Sequence, residues 1–297
     1  MQPEVVVVGS ANVDLVLPVQ RIPRPGETVL AGTMTRGPGG KGANQAVASA
    51  RAGASTAMIV ALGDDEGGAL LRDALDGVDL SLATTSDAPT GTAIITVDEL
   101  GENSIVVAPG ANGELTLTPA AVSALGTAKV VLAQLEIPFP AVRAAAAASA
   151  YFILNAAPAA ELSDELLAEV DLLVVNETEA EAIAGADRSA LLEKVPAVVV
   201  TLGRAGAVIL TRGADEIAVP GVPVEVVDTT AAGDTFCGVL AATLASKSTI
   251  DAIAATDLTN AVRRANVAAS LSVQAAGAIP SVPHGDAIDA RYAEVYL

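Results

Sequence analysis

Val5-Val6-Val7-Val8-Gly9-Ser10-Ala11-Asn12-Val13-Asp14 opens with four β-branched residues in a row and then turns small and polar. A strand with one wet face alternates apolar and polar side chains, so an unbroken apolar run marks a strand covered on both faces, as in a parallel sheet. Similar runs recur at 56–61, 129–132, 151–155, 172–175 and 197–201, and the stretches 42–52, 65–75, 139–148 and 164–169 between them read as helices. Strand and helix in alternation predict an α/β fold with a mainly parallel central sheet and helices on both sides. After Asp234 the pattern is helical for most of the remaining chain.

Two segments fall outside the alternation. Residues 12–34 and 92–107 are rich in Val, Thr and Ile, with turn signals at 23–26 and 100–103, and read as antiparallel hairpin material. They flank the first βα units, which predicts a small β-sheet lid, from about 12–36 and 91–108, over the ligand-binding edge of the main sheet. Lids of this kind exclude water where a phosphoryl group must not be lost to hydrolysis.

Composition narrows the classes. Apolar residues make up 52% of the 297 and aromatic ones only 2%, so the core has to be built from Val, Leu, Ile and Ala. With no internal repeat, linker or second core in view, one domain over 1–297 is expected. A formal net charge of −19 without a Lys/Arg cluster disfavours nucleic acid and membrane surfaces as partners. Cys237 and His284 are single, which excludes an internal disulfide and a multi-histidine or thiolate metal cluster. An acid stands in Met1-Gln2-Pro3-Glu4 where a secretory signal carries Lys or Arg, and the Ala-rich run 144–154 is too short to span a bilayer, so a cytoplasmic location is expected.

The most informative motif is Asp228-Thr229-Thr230-Ala231-Ala232-Gly233-Asp234-Thr235-Phe236. Small residues lead into a helix read as 234–245, so several backbone N–H groups converge on a spot that suits an anion. Asp234 there is either a group that acts on a ligand or an ordinary N-cap worth ~0.5–2 kcal/mol. The run Gly37-Pro38-Gly39-Gly40-Lys41-Gly42-Ala43-Asn44 also leads into a helix. It satisfies G-x-G-x-x-G by letters, yet residues 32–36 before it are polar and turn-like, so the dinucleotide reading fails. Nor is it a G-x-x-x-x-G-K-[ST] loop, because Thr35 replaces the first Gly and Gly42 follows the Lys. What remains is a backbone open to close approach, with Lys41 and Asn44 as polar contacts, or a Gly-rich turn without function.

Asn12 and Asp14 fall at the carboxyl end of the first strand, where open α/β sheets bind ligands, and as alternate residues they face the same way. Such a pair suits a polyol; an Asx turn is the plainer reading. In Asn176-Glu177-Thr178-Glu179, Glu179 either positions a hydrated Mg²⁺ or is a first-turn acid favoured by the helix dipole. Thr201-Leu202-Gly203-Arg204-Ala205-Gly206 is a Gly turn between two β-runs that faces a nucleotide or merely closes a hairpin. Glu136 is a lone acid before Pro138.

Taken together, 9–14, 39–44, 176–179, 201–206 and 228–234 resemble, in order and spacing over essentially the whole chain, the ribokinase branch of the PfkB carbohydrate kinases. Gly39-Gly40-Lys41-Gly42-Ala43-Asn44-Gln45-Ala46 and Pro25-Gly26-Glu27-Thr28 carry the likeness to that branch. The resemblance implies a ribokinase-like three-layer α/β/α sandwich with a β-lid, and transfer of the γ-phosphoryl of ATP to the primary hydroxyl of ribose. Asn12, Asp14, Gly40, Lys41, Asn44 and Glu136 match sugar contacts. Asp234 matches both a sugar contact and the catalytic base, with an anion hole at Ala231, Ala232, Gly233 and Asp234. On the nucleotide side the matching residues are Asn176, Glu179, Thr201, Gly203, Gly206, Gly233 and Asn266, with Mg²⁺ on the phosphates. A potassium ion behind the anion hole is implied at Asp228, Thr230, Ser272, Ala275, Gly277 and Ser281, and a homodimer through the lid.

The chain departs from that pattern in places. Asn266 stands where His is common beside the adenine, and the connection 184–196 is short, so that edge is expected to be trimmed. Cys237 reads as a packing residue. A kinase of the same family for a nucleoside, deoxyribose or fructose, and a non-catalytic sugar sensor on the same fold, are the rival readings.

Overall fold

In this computed structural model the structure describes residues 2–247 and 255–297. The chain begins with β1 (Val5–Val8), β2 (Asn12–Pro18) and β3 (Thr35–Gly39), then α1 (Lys41–Arg51), β4 (Thr56–Ile59), β5 (Ala61–Gly63) and α2 (Glu66–Ala74). Next come β6 (Thr84–Ser86), β7 (Gly91–Val97), β8 (Asn103–Ala108), α3 (Pro119–Leu125), β9 (Val130–Ala133), α4 (Phe139–Ala148) and β10 (Phe152–Asn155). They lead to α5 (Asp164–Leu167), β11 (Leu172–Asn176), α6 (Glu177–Ala184), α7 (Leu191–Lys194), β12 (Ala197–Thr201), β13 (Gly206–Thr211) and β14 (Ile217–Pro220). Three helices close the chain: α8 (Ala232–Ala245), α9 (Ala255–Ser272) and α10 (Gly285–Tyr296).

The large sheet has the order β14-β13-β12-β11-β10-β9-β1-β4. From β4 to β12 every pair is parallel, and β13 and β14 add an antiparallel edge. Alternate residues of β1 show the three layers. Val5 and Val7 belong to a core shared with Val47 of α1, Leu240 of α8 and Val262 of α9. Val6 and Val8 belong to a second core with Leu125 of α3 and Val142 of α4 on the other side. With both faces covered, neither can carry a polar residue cheaply, which is why the strands read as unbroken apolar runs.

A second sheet, in the order β3-β2-β7-β8, is the expected lid. Its outer strand β8 is exposed along its whole length. The pairing differs in two ways from the expected hairpins. β2 runs antiparallel to β3, but the return strand is 35–39, which joins the end of the stretch 32–36 read as turn-like to the start of the Gly-rich run, and β2 pairs parallel with β7. Thr35 and Arg36 of β3 are exposed, so no hydrophobic run announces the strand.

Other boundaries moved as well. The run 56–61 breaks at Val60, and β5 leaves the large sheet to pair in parallel with β6. α5 is a single turn, shorter than the helix read over 164–169. The connection 184–196 folds as a turn of 3₁₀ helix (Arg188–Ala190) followed by the single-turn α7. α8 starts at Ala232, two residues before the expected position. Among the described residues no helix is long and apolar enough to cross a membrane.

Candidate active site

The carboxyl ends of the parallel strands, the first turns of α1, α6 and α8, and the underside of the lid meet at one place. The glycines before α1 make the approach possible. Gly40 has φ +91°, and a Cβ on it would lie 2.7 Å from the Asn12 nitrogen. At Gly39 a Cβ would fall 2.0 Å from the Asp14 carboxylate, so a side chain there would displace the acid. The Gly-rich run is therefore the seam between lid and main sheet.

Five charged groups act on one another across this seam. Asp14 is half-buried on β2, and its carboxyl is pushed up to about 7, first by burial and then by the carboxylates of Glu136 and Asp234, with Lys41 opposing. Burial works against the Lys41 ammonium, but Asp234, Glu136 and Glu179 outweigh it and hold it above its ordinary value. Lys41 Nζ lies 3.9 Å from Glu136 Oε1. Glu136 Oε2 accepts from the Ser10 hydroxyl at 2.5 Å and from the Lys41 amide at 3.2 Å, so the lone acid before Pro138 ties β1's end to the start of α1.

Asp234 is not a cap. Ala231 is the N-cap residue of α8, in the left-handed region at φ 57°, and makes no side-chain cap bond. Asp234 is buried in the first turn, and its carboxylate faces α1: Oδ2 accepts from Asn44 Nδ2 at 2.9 Å and Oδ1 from Gln45 Nε2 at 2.9 Å. A non-glycine residue in the left-handed region costs about 1–2 kcal/mol. Here it turns the chain so that the first N–H groups of α8, which no helical carbonyl precedes, open beside that carboxylate. Gly233 is exposed, whereas the Ala232 amide donates to Thr229 O at 3.2 Å.

Other site residues are fixed by local bonds. Asn12 is buried and its Oδ1 accepts from Asn112 Nδ2 at 2.8 Å, while Asn112 also bonds both backbone groups of Ala11. Asn176 and Glu179 form a reciprocal capping box at the start of α6, at 2.8 and 2.9 Å. Burial raises the Glu179 carboxyl, with the Asn176 amide and Lys41 pulling it down and Asp234 adding to the rise. The first-turn role of Glu179 is thus realised, and its carboxylate still lies in the field of Lys41 and Asp234. Thr201 donates to Val175 O at 3.3 Å, and Gly203 and Gly206 turn β12 into β13. Both donors of Asn266 go to β14, to Val219 O at 3.2 Å and Pro220 O at 3.3 Å, tying α9 to the sheet edge.

Asp228 joins two loops behind α8. Its Oδ1 accepts from the Thr230 amide (2.8 Å) and hydroxyl (2.6 Å), and its Oδ2 from the Gly277 amide (2.8 Å). Burial pushes this carboxyl up, but the bonds from Thr230 and Gly277 win and hold it below the usual value. The Ser272 and Ser281 hydroxyls donate to Ala269 O and Ala278 O, and the Ala275 amide donates to Ser272 O. By chemistry, the side chains of Asp228, Thr230, Ser272 and Ser281 and the carbonyls of Ala275 and Gly277 offer only oxygen donors, which suit a hard cation. Among the described residues no group of three His, Cys, Asp or Glu side chains could hold a metal ion. Cys237, one turn beyond Asp234, is buried and its thiol is pushed far up, a packing residue as expected.

Four residues of the site escaped the sequence reading. Gln45, Gln134 and Asn155 are buried and linked to Asp234, and Asn112 anchors Asn12. Gln45 lies within the Gly-rich motif and Asn112 in the turn Pro109-Gly110-Ala111-Asn112-Gly113 after the lid, while Gln134 and Asn155 close apolar runs, which was the available signal for those two.

Comparison with known proteins places the chain and its fold in a family. The model of the pfkB family carbohydrate kinases matches residues 2–285. The bifunctional ribokinase/ribose-5-phosphate isomerase A of Fructilactobacillus sanfranciscensis is 42% identical over 306 residues, covering 96% of this chain but only 55% of that longer protein. The ribokinase of Haemophilus influenzae is 37% identical over 303 residues, covering 95% of this chain and 96% of that one. The solved structure of Arabidopsis thaliana ribokinase complexed with ribose and ATP superposes with a TM-score of 0.86 at 33% identity, covering 98% of this chain and 99% of that one. With a family model matched along nearly its whole length and relatives this similar from end to end, the chain belongs to the pfkB family of carbohydrate kinases.

Proposed function

We propose that the chain is a ribokinase, which transfers the γ-phosphoryl of ATP to the primary (O5) hydroxyl of D-ribose to give D-ribose 5-phosphate and ADP. The observation that carries this reading is the buried Asp234 carboxylate, held at both oxygens by α1 and standing at the mouth of α8 beside the exposed Gly233. Relatives named as ribokinases, spanning nearly the whole chain, support the choice of sugar.

The sugar lies between the lid and the sheet. Asn12 and Asp14 reach it from β2, with Gly40, Lys41, Asn44 and Glu136 from the other side. Asp234 accepts the O5 proton as O5 forms its bond to the γ-phosphorus and the bond from that phosphorus to the leaving oxygen of ADP breaks. The amides of Ala231 to Asp234, those of Gly233 and Asp234 foremost, meet the charge on the γ-oxygens. Asn176, Glu179, Thr201, Gly203, Gly206, Gly233 and Asn266 line the nucleotide side.

Glu179 would position a hydrated Mg²⁺, which when bound would supply charge neutralisation on the ATP phosphates. A K⁺ ion among Asp228, Thr230, Ser272, Ala275, Gly277 and Ser281 would fix the loops behind the anion hole, for which their all-oxygen donor set is suited. One domain with its lid, acting in the cytoplasm and paired with a second copy through the lid, completes the reading.

Asp234→Asn is expected to lower kcat ~10²-fold or more with little change in Tm. Steady-state kinetics beside a thermal melt checks it, and an active but less stable variant would overturn the role. A panel of ribose, deoxyribose, fructose and a nucleoside with ATP, Mg²⁺ and K⁺, read by ADP release, tests the substrate. Preference for another acceptor would replace ribose, and no turnover at all would favour a sensor.

A further inference from the structure

Gln45 is wholly buried in α1, where it faces α8 across a contact so close that a Cβ on Gly238 would lie 2.3 Å from the Gln45 carbonyl oxygen. A buried primary amide is unfavourable unless its donors and acceptor are paired, and Gln45 pairs both. Nε2 donates to Asp234 Oδ1 at 2.9 Å and to Asn155 Oδ1 at 3.0 Å, and Oε1 accepts from Gln134 Nε2 at 2.5 Å. Asn155 stands at the end of β10, Gln134 directly after β9, and both are buried.

The direction of these bonds is set by the backbone. Val174 O can only accept, so the Asn155 amide turns its Nδ2 toward it, at 3.2 Å. Asn155 Oδ1 then faces Gln45 and requires a donor there. Gln45 answers with Nε2, whose second hydrogen meets Asp234 Oδ1, and its Oε1 is left to Gln134 Nε2. Rotating the Asp234 carboxylate would break either this bond or the one from Asn44 at the other oxygen.

We propose that Gln45 is a positioning residue for Asp234: with Gln134 and Asn155 behind it, it transmits the fixed polarity of the β11 backbone to the carboxylate and aims it at the acceptor hydroxyl. The inference rests on Asp234 being the base. A carboxylate free to swing departs from productive geometry, and a displacement near 1 Å costs on the order of 10²-fold in rate. Gln134 reaches Asp234 only through Gln45, so its effect is contained within that of Gln45.

The test is steady-state kinetics and thermal melts on Gln45→Met, Gln134→Met, the double variant and Asp234→Asn. Gln45→Met is expected to lose about 10- to 100-fold in kcat, with KM for ribose and ATP within about threefold. Gln134→Met should lose less, and the double variant should be no slower than Gln45→Met, the non-additivity of residues acting in series. A residue that only packs would lower Tm and leave kcat of the folded enzyme unchanged. A Gln45→Met kcat within twofold of the parent, or losses that multiply in the double variant, would overturn the proposal. Should Gln45→Met fail to fold, Gln134→Met decides alone: a lower kcat at unchanged KM supports the relay, and a parental kcat overturns it. An inactive Asp234→Asn beside a fully active Gln45→Met leaves the base in place and removes only the relay, whereas an active Asp234→Asn removes both.

Discussion

Asp14 shows how the site strains the fold that holds it. Its carboxyl, pushed up to about 7 by burial and by the neighbouring acids, keeps a proton in the folded protein at pH values where the unfolded chain, with an ordinary value of 3.8, has lost it. Between about 4 and 7 the folded state therefore binds more protons than the unfolded one, and stability falls as pH rises through that window. Asp14→Asn cannot ionise and escapes the loss. Its Tm should exceed that of the parent by a few degrees at pH 8, with the gap narrowing toward pH 5, as scanning fluorimetry across that range would show; a gap independent of pH would refute the assignment. The charged members of the site were legible in the sequence because each ends an apolar run or sits in a Gly-rich one. The amides behind them were not: Gln134 and Asn155 look like the polar ends of strands, and only the approach of α1 to α8 shows that Gln45 spans the gap to Asp234.

At the scale of elements, the entry into α8 separates what the fold needs from what the reaction needs. Gly233 is exposed, and a Cβ placed on it meets no atom within 4 Å. Ala is favoured over Gly in helices by up to about 1 kcal/mol, so Gly233→Ala should keep or raise Tm. The added methyl stands where the γ-phosphoryl would approach the amides, and kcat/KM for ATP is expected to fall about tenfold or more; parental kinetics would place the phosphoryl elsewhere. The same element explains why Asp234 was ambiguous as a sequence: the left-handed Ala231 starts the helix two residues early, which no propensity announces. Strands covered on both faces were legible nearly to the residue, as at Val5–Val8 and Ala197–Thr201, because burial dictates their composition. β3, β5 and β6 were not, since short or exposed strands carry no such run, and the parallel pairing of β2 with β7 joins segments over seventy residues apart.

At the scale of the whole molecule, the proposed pairing of two chains through the lid makes demands on its two faces. Cross-strand pairing puts Val16, Ile95 and Ile105 in one row, on the face that carries Asp14, while Ile94 and Val106 point to the opposite face. Ile105 is 53% exposed and Val106 64%, so both faces offer apolar area and only one carries Asp14. Two copies with a formal charge of −19 each repel one another, so pairing must bury apolar surface to offset that field, and added salt should strengthen it by screening. If the chains pair as proposed, the parent should sediment at twice the 29.4 kDa of the chain, more completely at higher ionic strength. Ile105→Glu should sediment as a monomer with Tm nearly unchanged, because the side chain is already exposed. Val106→Glu, with the same charge on the other face, should remain paired; loss of the pair in both variants would place the contact along the β8 edge, and loss in neither would move it off the lid.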